Sequence, residues 1–151
     1  HKETIIGYID KLENTAREIG AVNTLVADNG KIIGYNTDHA GAVSALKEKT
    51  ELKGKEILVI GAGGGARAIA YGLKKEGAVV TITNRSAERA QKLASEFNVN
   101  VEKMPCQNGI FSTFSIIINA TSVGMAPNHG QSIINETKIG KRSNTSKTSS
   151  A

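Results

Sequence analysis

The chain has 151 residues, of which 39% are hydrophobic, 22% charged and 4% aromatic, with no Trp. That is enough for one globular domain, or one domain plus pieces of another, around an aliphatic core. No apolar run approaches the roughly 20 residues of a membrane span, no signal-peptide pattern opens the chain, and the single Cys106 excludes an internal disulfide framework. A soluble protein of the reducing cytoplasm is expected.

The formal charge of +5 suggests nucleic acid until it is located. Lys138, Lys141, Arg142 and Lys147 lie within the last fourteen residues, which hold no acidic residue, so the remainder carries +1. Residues 132–151 read as a polar, basic, solvated tail. No nucleic-acid or membrane partner is expected, no metal site is indicated, and the chain is read as a monomer or a homodimer.

In chain order, the pattern predicts a helix from Glu3 to Leu12 and a short helix from Glu13 to Ile19. Strands follow at Ala21 to Ala27 and Lys31 to Tyr35, joined by Asp28-Asn29-Gly30, whose Asn-Gly step is a hairpin signal. Asn36, Thr37 and Asp38 offer N-cap side chains to a helix ending near Glu48, and Thr50 to Lys55 reads as a linker. Strand and helix then alternate: strand Glu56 to Ile60, helix Gly64 to Glu76, strand Ala78 to Thr83, helix Ala87 to Phe97 capped by Ser86. A weak strand near Val99 to Lys103 and an apolar strand Ser115 to Asn119 complete the series. Continuous Ile/Val strands between amphipathic helices imply a parallel sheet covered on both faces, so the fold class is α/β. Strands 56–60, 78–83 and 115–119 are expected to be parallel neighbours. The organisation expected is the end of a substrate domain at 1–38, a connecting helix and linker at 39–51, an incomplete Rossmann-like nucleotide-binding domain at 52–131, and the tail.

The chemistry concentrates where the first long strand ends. Ile57 to Ile60 runs into Gly61-Ala62-Gly63-Gly64-Gly65-Ala66, the Gly-x-Gly-x-x-Ala layout of a dinucleotide-binding turn. Gly61 permits the sharp strand-to-helix turn, Gly63 lets backbone N–H groups approach a diphosphate, and Ala66 allows close helix–strand packing. NAD-binding turns usually pair with an acidic residue about 20 residues on, at the end of the next strand. Here Asn84-Arg85-Ser86 stands there, with Arg89 one helical turn later. A carboxylate would repel a 2′-phosphate, whereas a guanidinium can bind it through paired charge-assisted bonds. The expected cofactor is NADP(H), against the plainer reading of Arg85 and Arg89 as solvated helix residues.

In the first section Lys2 is a candidate proton donor, Asp38 a candidate to hold that lysine or a substrate hydroxyl, and Asn23 a group that can both donate and accept. Spacing alone favours the plainer reading of a surface Lys2, an N-cap Asp38 and a turn-side Asn23. His39, beside Asp38, is expected to face solvent at the helix start.

His1-Lys2-Glu3, Ile19-Gly20-Ala21-Val22-Asn23-Thr24 and Gly34-Tyr35-Asn36-Thr37-Asp38 resemble the shikimate dehydrogenase family in order and spacing. So do Gly61 to Ala68, Asn84-Arg85-Ser86 and Asn119-Ala120-Thr121-Ser122-Val123-Gly124-Met125, so that the likeness covers residues 1 to about 127. The resemblance implies NADPH-dependent reduction of 3-dehydroshikimate to shikimate, in the route to aromatic amino acids. It makes Lys2 the catalytic acid/base, and Asn23 and Asp38 ligands of substrate hydroxyls. It places Gly61, Ala62, Gly63, Gly64, Gly65, Asn84, Arg85, Ser86, Arg89 and Thr121 at the nucleotide. The family carries further substrate-binding segments before the His-Lys motif and after about Gln131 that have no match in this chain. The chain alone is therefore expected to bind nucleotide better than it turns over substrate. A bare NADP-binding module and a quinate-type or other NADP-dependent reductase are the alternatives.

Overall fold

In the computed structural model, residues 4–104 and 110–123 are described. The first described residues form a 3-10 turn, Thr4–Tyr8, followed by a two-residue strand β1, Lys11–Leu12. The helix expected over Glu3 to Leu12 does not form. Gly7 and the β-branched Thr4, Ile5 and Ile6 are poor helix formers, and Lys11 and Leu12 pair instead in parallel with Ile33 and Gly34. Asp10 completes the edge by accepting from the Ile32 N–H at 2.7 Å.

Helix α1, Asn14–Ile19, starts where the Glu13 carboxylate accepts from the N–H groups of Thr15 and Ala16, and ends on Gly20 at φ 70°. Strands β2, Thr24–Asp28, and β3, Lys31–Tyr35, form the expected antiparallel hairpin. Its two turn residues, Asn29 at φ 47° and Gly30 at φ 76°, both take the left-handed conformation that an Asn-Gly step permits. The small sheet has the order β1-β3-β2.

Helix α2, Asp38–Lys47, follows Thr37, which makes no side-chain cap. The helix start is tied down one residue earlier, where Asn36 Oδ1 accepts from the Asp38 N–H at 3.1 Å. Thr37 is drawn away from capping because its hydroxyl and N–H both bond to the side chain of Asn23.

The second sheet is parallel throughout: β4, Glu56–Ile60; β5, Val79–Thr83; β6, Asn100–Glu102; and β7, Ile116–Asn119, in the order β6-β5-β4-β7. The expected parallel neighbours 56–60, 78–83 and 115–119 are all present. Strand β4 is central and buried on both faces, as its unbroken Ile-Leu-Val-Ile run requires. Ile57 and Val59 pack with Val80, Ile82, Ala66, Ala70 and Leu73, whereas Leu58 and Ile60 pack with Phe111 on the other face. Each of the buried Ile, Leu and Val side chains contributes about 1.5–3 kcal/mol through burial.

Helices α3, Gly64–Lys75, and α4, Ala87–Phe97, cover the face of Ile57 and Val59. Helix α2 lies against α3 so closely that a Cβ on Gly72 would fall 2.7 Å from Val43 Cγ2. No helix among the described residues is long and apolar enough to cross a membrane.

Candidate functional site

The parallel register aligns three strand ends. Ile60 of β4 is opposite Thr83 of β5 and Asn119 of β7. Gly61, Asn84 and Ala120 therefore leave the carboxyl edge of the sheet side by side. Two backbone bonds pin this exit, from the Gly61 N–H to the Thr83 carbonyl and from the Ala120 N–H to the Ile60 carbonyl, both at 2.8 Å. The helix after β4 covers the Ile57–Val59 face, whereas Phe111, just before β7, packs on the opposite face, and the carboxyl edge between two such strands is where open α/β sheets form a ligand crevice.

Gly61 sits at φ 126°, where a side chain would be strained, and an added Cβ would lie 3.0 Å from the Ala120 carbonyl oxygen. Gly63 is the N-cap of α3 and carries no side-chain cap bond, leaving the first helical N–H groups directed outward. Around Gly63 and Gly65 a Cβ would meet nothing within 4 Å, so the backbone is open to an approaching group. Ala62 and Ala66 turn inward to the core. Backbone donors, a helix N-terminus and no obstructing side chain suit an anion such as a diphosphate.

Next to this turn is a cavity of about 320 Å³, lined by Asn84, Arg85, Thr121 and Ser122 with Ile60 and Met104 among its apolar residues. Arg85 is exposed, and neither it nor Arg89 forms an ion pair among the described residues. Ser86 caps α4 by accepting from the Arg89 N–H at 3.4 Å, and Asn84 Nδ2 donates to the Ser86 carbonyl at 3.1 Å. Both bonds hold the Asn84–Arg89 corner in one shape. Arg85 joins the cavity lining; Ser86 and Arg89 stand outside it. Among the described residues no carboxylate lines the cavity, which fits a phosphorylated ribose better than a bare one.

Thr121 is at the cavity for a reason the sequence did not disclose. Its hydroxyl donates to Asn119 Oδ1 at 2.7 Å and accepts from the Val123 N–H at 3.2 Å. Asn119 also accepts from the Thr121 N–H and donates to the Val123 carbonyl. Asn119 thus folds the loop after β7, and Thr121 shapes the wall facing Gly61.

The second polar group is built on the small sheet. Asn23 Nδ2 donates to Asp38 Oδ1 at 2.7 Å and to Thr37 Oγ1 at 3.1 Å, while Asn23 Oδ1 accepts from the Thr37 N–H. Asn23 and Asp38, fifteen residues apart, therefore form one cluster. Behind it, the buried Asn36 donates to the Ala21 carbonyl at 3.0 Å. His39, expected to face solvent, is half-buried: its Nδ1 is 3.1 Å from the Asn36 carbonyl and its ring stands edge-on to Tyr71, with centroids 5.8 Å apart. The close α2–α3 approach at Gly72 draws it inward. Lys2 lies outside the described residues.

One face of α3 grips the end of α1, an arrangement no sequence motif announced. Tyr71 donates to Glu18 at 2.7 Å and Lys75 is 3.4 Å from the same carboxylate, while Arg67 reaches the Ile19 carbonyl. The Tyr71 bond, then the Lys75 charge, hold the Glu18 carboxyl below its ordinary range. Burial, then the Glu18 carboxylate, push the Tyr71 phenol above its ordinary value. The Glu18 contribution is therefore present above the carboxylate range and lost as pH falls through it. The Tyr71 contribution is present below about 10 and lost as pH rises beyond. We expect an alkaline absorbance titration to show a tyrosine ionising above the ordinary value, and Tyr71→Phe to remove that step. A variant that loses an ordinary step instead contradicts the assignment.

The sequence model of the Shikimate / quinate 5-dehydrogenase family matches residues 44–148. The chain belongs to this family. It is 49% identical over 125 residues to the shikimate dehydrogenase (NADP(+)) of Aquifex aeolicus, covering 82% of this chain and 46% of that one. The crystal structure of shikimate dehydrogenase from Aquifex aeolicus superposes with a TM-score of 0.79 at 44% identity, over 89% of this chain and 50% of the other. The Thermus thermophilus shikimate 5-dehydrogenase, solved with NADP(H) and shikimate, gives 0.76 at 35% identity, over 89% of this chain and 49% of the other. The chain spans about half the length of the curated relatives it matches. The α/β class and Rossmann-like sheet expected from the sequence are those of this family.

Proposed function

We propose that the chain carries the NADP-binding half, and the adjoining part of the substrate half, of a shikimate dehydrogenase that interconverts 3-dehydroshikimate and shikimate. The observation that carries this reading is the open glycine turn beside a cavity that bears Arg85 and, among the described residues, no carboxylate. NADPH supplies the hydride when bound. Gly61 to Gly65 offer backbone donors to its diphosphate. Arg85, with Arg89 and the Ser86 hydroxyl at the same corner, binds the 2′-phosphate, Asn84 holds that corner, and Thr121 walls the crevice.

Asn23 and Asp38 bind substrate hydroxyls, and their 2.7 Å bond fixes the carboxylate before substrate arrives. Lys2 exchanges the proton at the substrate oxygen. In this reading residues 1–38 belong to the substrate domain, 39–51 connect, 52–131 form the nucleotide domain and 132–151 are tail. The protein acts in the cytoplasm, as a monomer or homodimer, on a small-molecule substrate.

The test is shikimate-dependent reduction of NADP+, followed at the nicotinamide absorbance, with residues 1–123 grafted in place of the matching half of the Aquifex aeolicus enzyme. Turnover with shikimate is expected; a folded graft that binds NADP+ and reduces it with quinate alone, or not at all, contradicts the assignment. The isolated 151-residue chain should bind NADP+ with negligible turnover, since holding the reacting atoms in place needs groups from segments beyond it. In the graft, Asp38→Asn should lower kcat/KM by about 10²-fold through loss of substrate positioning, leaving NADP+ binding unchanged. Steady-state kinetics in both substrates check this.

A further inference from the structure

We propose that Arg67 is a positioning residue that ties the glycine turn to the Asn23–Asp38 cluster, so that one side chain sets the placement of the substrate-side groups relative to the nucleotide. This rests on the reading of the glycine turn as the NADP site. Arg67 belongs to the turn itself: its N–H makes the first bond of α3, to the Gly63 carbonyl, at 3.0 Å. Its guanidinium then reaches away from the crevice. Nε donates to the Ile19 carbonyl at 2.7 Å, a terminal nitrogen pairs with Glu96 at 2.5 Å, and the group lies over the Phe97 ring. With 13% of its side chain exposed, Arg67 is fixed from both sides.

The receiving segment is equally constrained. Gly20, at φ 70°, has no room for a side chain, since a Cβ would lie 2.6 Å from the guanidinium. Ile19, Ala21 and Val22 are buried, and Asn36 binds the Ala21 carbonyl. The next residue is Asn23, which holds Asp38 and Thr37. From the glycine turn to the cluster there is thus one guanidinium and four residues of immobilised chain. The guanidinium holds the Ile19 carbonyl and the Glu96 carboxylate with two donors fixed in one plane, a preorganised fork that the shorter lysine with its compact ammonium does not reproduce.

The test uses the 151-residue chain and two readouts: NADP+ affinity by titration, and amide hydrogen exchange of residues 20–24 and 36–38 with and without NADP+. In the wild-type chain NADP+ should slow these amides. Arg67→Lys should keep NADP+ affinity within about threefold. It should speed exchange of the Asn23 and Thr37 amides about tenfold without nucleotide and abolish the further slowing by NADP+. The amides of β4 and β5 should stay protected. Tyr71→Phe, which removes the tyrosine bond to Glu18 but leaves Lys75 on that carboxylate and the Ile19 carbonyl held by Arg67, should not move the cluster amides; if it does, Arg67 serves only to pack α1.

Arg67→Met, which keeps the apolar stem and removes both side-chain donors, should reproduce the Arg67→Lys signature and stands in if that variant does not fold. Unchanged cluster exchange in Arg67→Lys overturns the proposal, as does a loss of NADP+ affinity large enough to make Arg67 a nucleotide contact. Failure of the wild-type chain to bind NADP+ overturns the cofactor reading instead, and the nucleotide-free comparison still decides whether Arg67 holds the cluster.

Discussion

Replacing Arg85 by Ala is expected to weaken NADPH binding by about 10- to 100-fold while changing NADH binding little. The estimate follows from a hydrogen-bonded charge contact of about 1.5–3 kcal/mol lost only from the cofactor that carries the 2′-phosphate. Arg85 is exposed at the cavity and pairs with no carboxylate among the described residues, so its removal exposes no buried partner and should leave the fold intact. Parallel titrations with the two cofactors give the ratio. Equal losses for both would remove Arg85 from 2′-phosphate recognition. Arg89, one helical turn on and outside the cavity lining, should show the same selectivity with a smaller loss.

Gly61→Ala is expected to cost about 2–5 kcal/mol of stability, combining a strained backbone with overpacking, and to abolish nucleotide binding in whatever fraction folds. Neither term can relax easily. The residue sits at φ 126° and its new methyl would meet the Ala120 carbonyl, which is itself held by the bond from the Ala120 N–H to Ile60. Denaturant unfolding measures the first effect and NADP+ titration the second. By contrast Gly65→Ala, with open space about its Cβ position, should be tolerated by the fold and should weaken nucleotide binding by obstruction alone. If Gly61→Ala is as stable as the parent chain, the close approach of the β4 and β7 exits is not what the glycine serves.

Much of the nucleotide half was legible because its signals are local. The Ile-Leu-Val-Ile run of β4, the Gly-x-Gly-x-x-Ala turn and the Ser86 cap each declare themselves within a few residues, and the parallel sheet follows from their alternation. The Asn-Gly step likewise fixed the β2–β3 hairpin. The segment Thr4 to Leu12 misled because its helical pattern was outweighed by a partner far along the chain, Ile33–Gly34, to which Lys11 and Leu12 are paired. Thr37 resembled a cap but is spent on Asn23, fourteen residues away. The helix-start position of His39 points to solvent, whereas Tyr71 and the α2–α3 approach at Gly72 leave it half-buried.

The candidate site divides the same way. The glycines, Asn84 and Arg85 could be found from spacing. The pairing of Asn23 with Asp38 and the bond from Asn36 to the Ala21 carbonyl needed the hairpin to return the chain, and the reach of Arg67 to the Ile19 carbonyl spans 48 residues.

The most direct measurement is a calorimetric titration of the 151-residue chain with NADP+ and with NAD+ at the same ionic strength. We expect NADP+ to bind at one site and at least about tenfold more tightly than NAD+, with the difference shrinking as salt screens the 2′-phosphate contact. Equal affinities, or tighter binding of NAD+, would contradict the assignment of the Arg85 crevice as an NADP site.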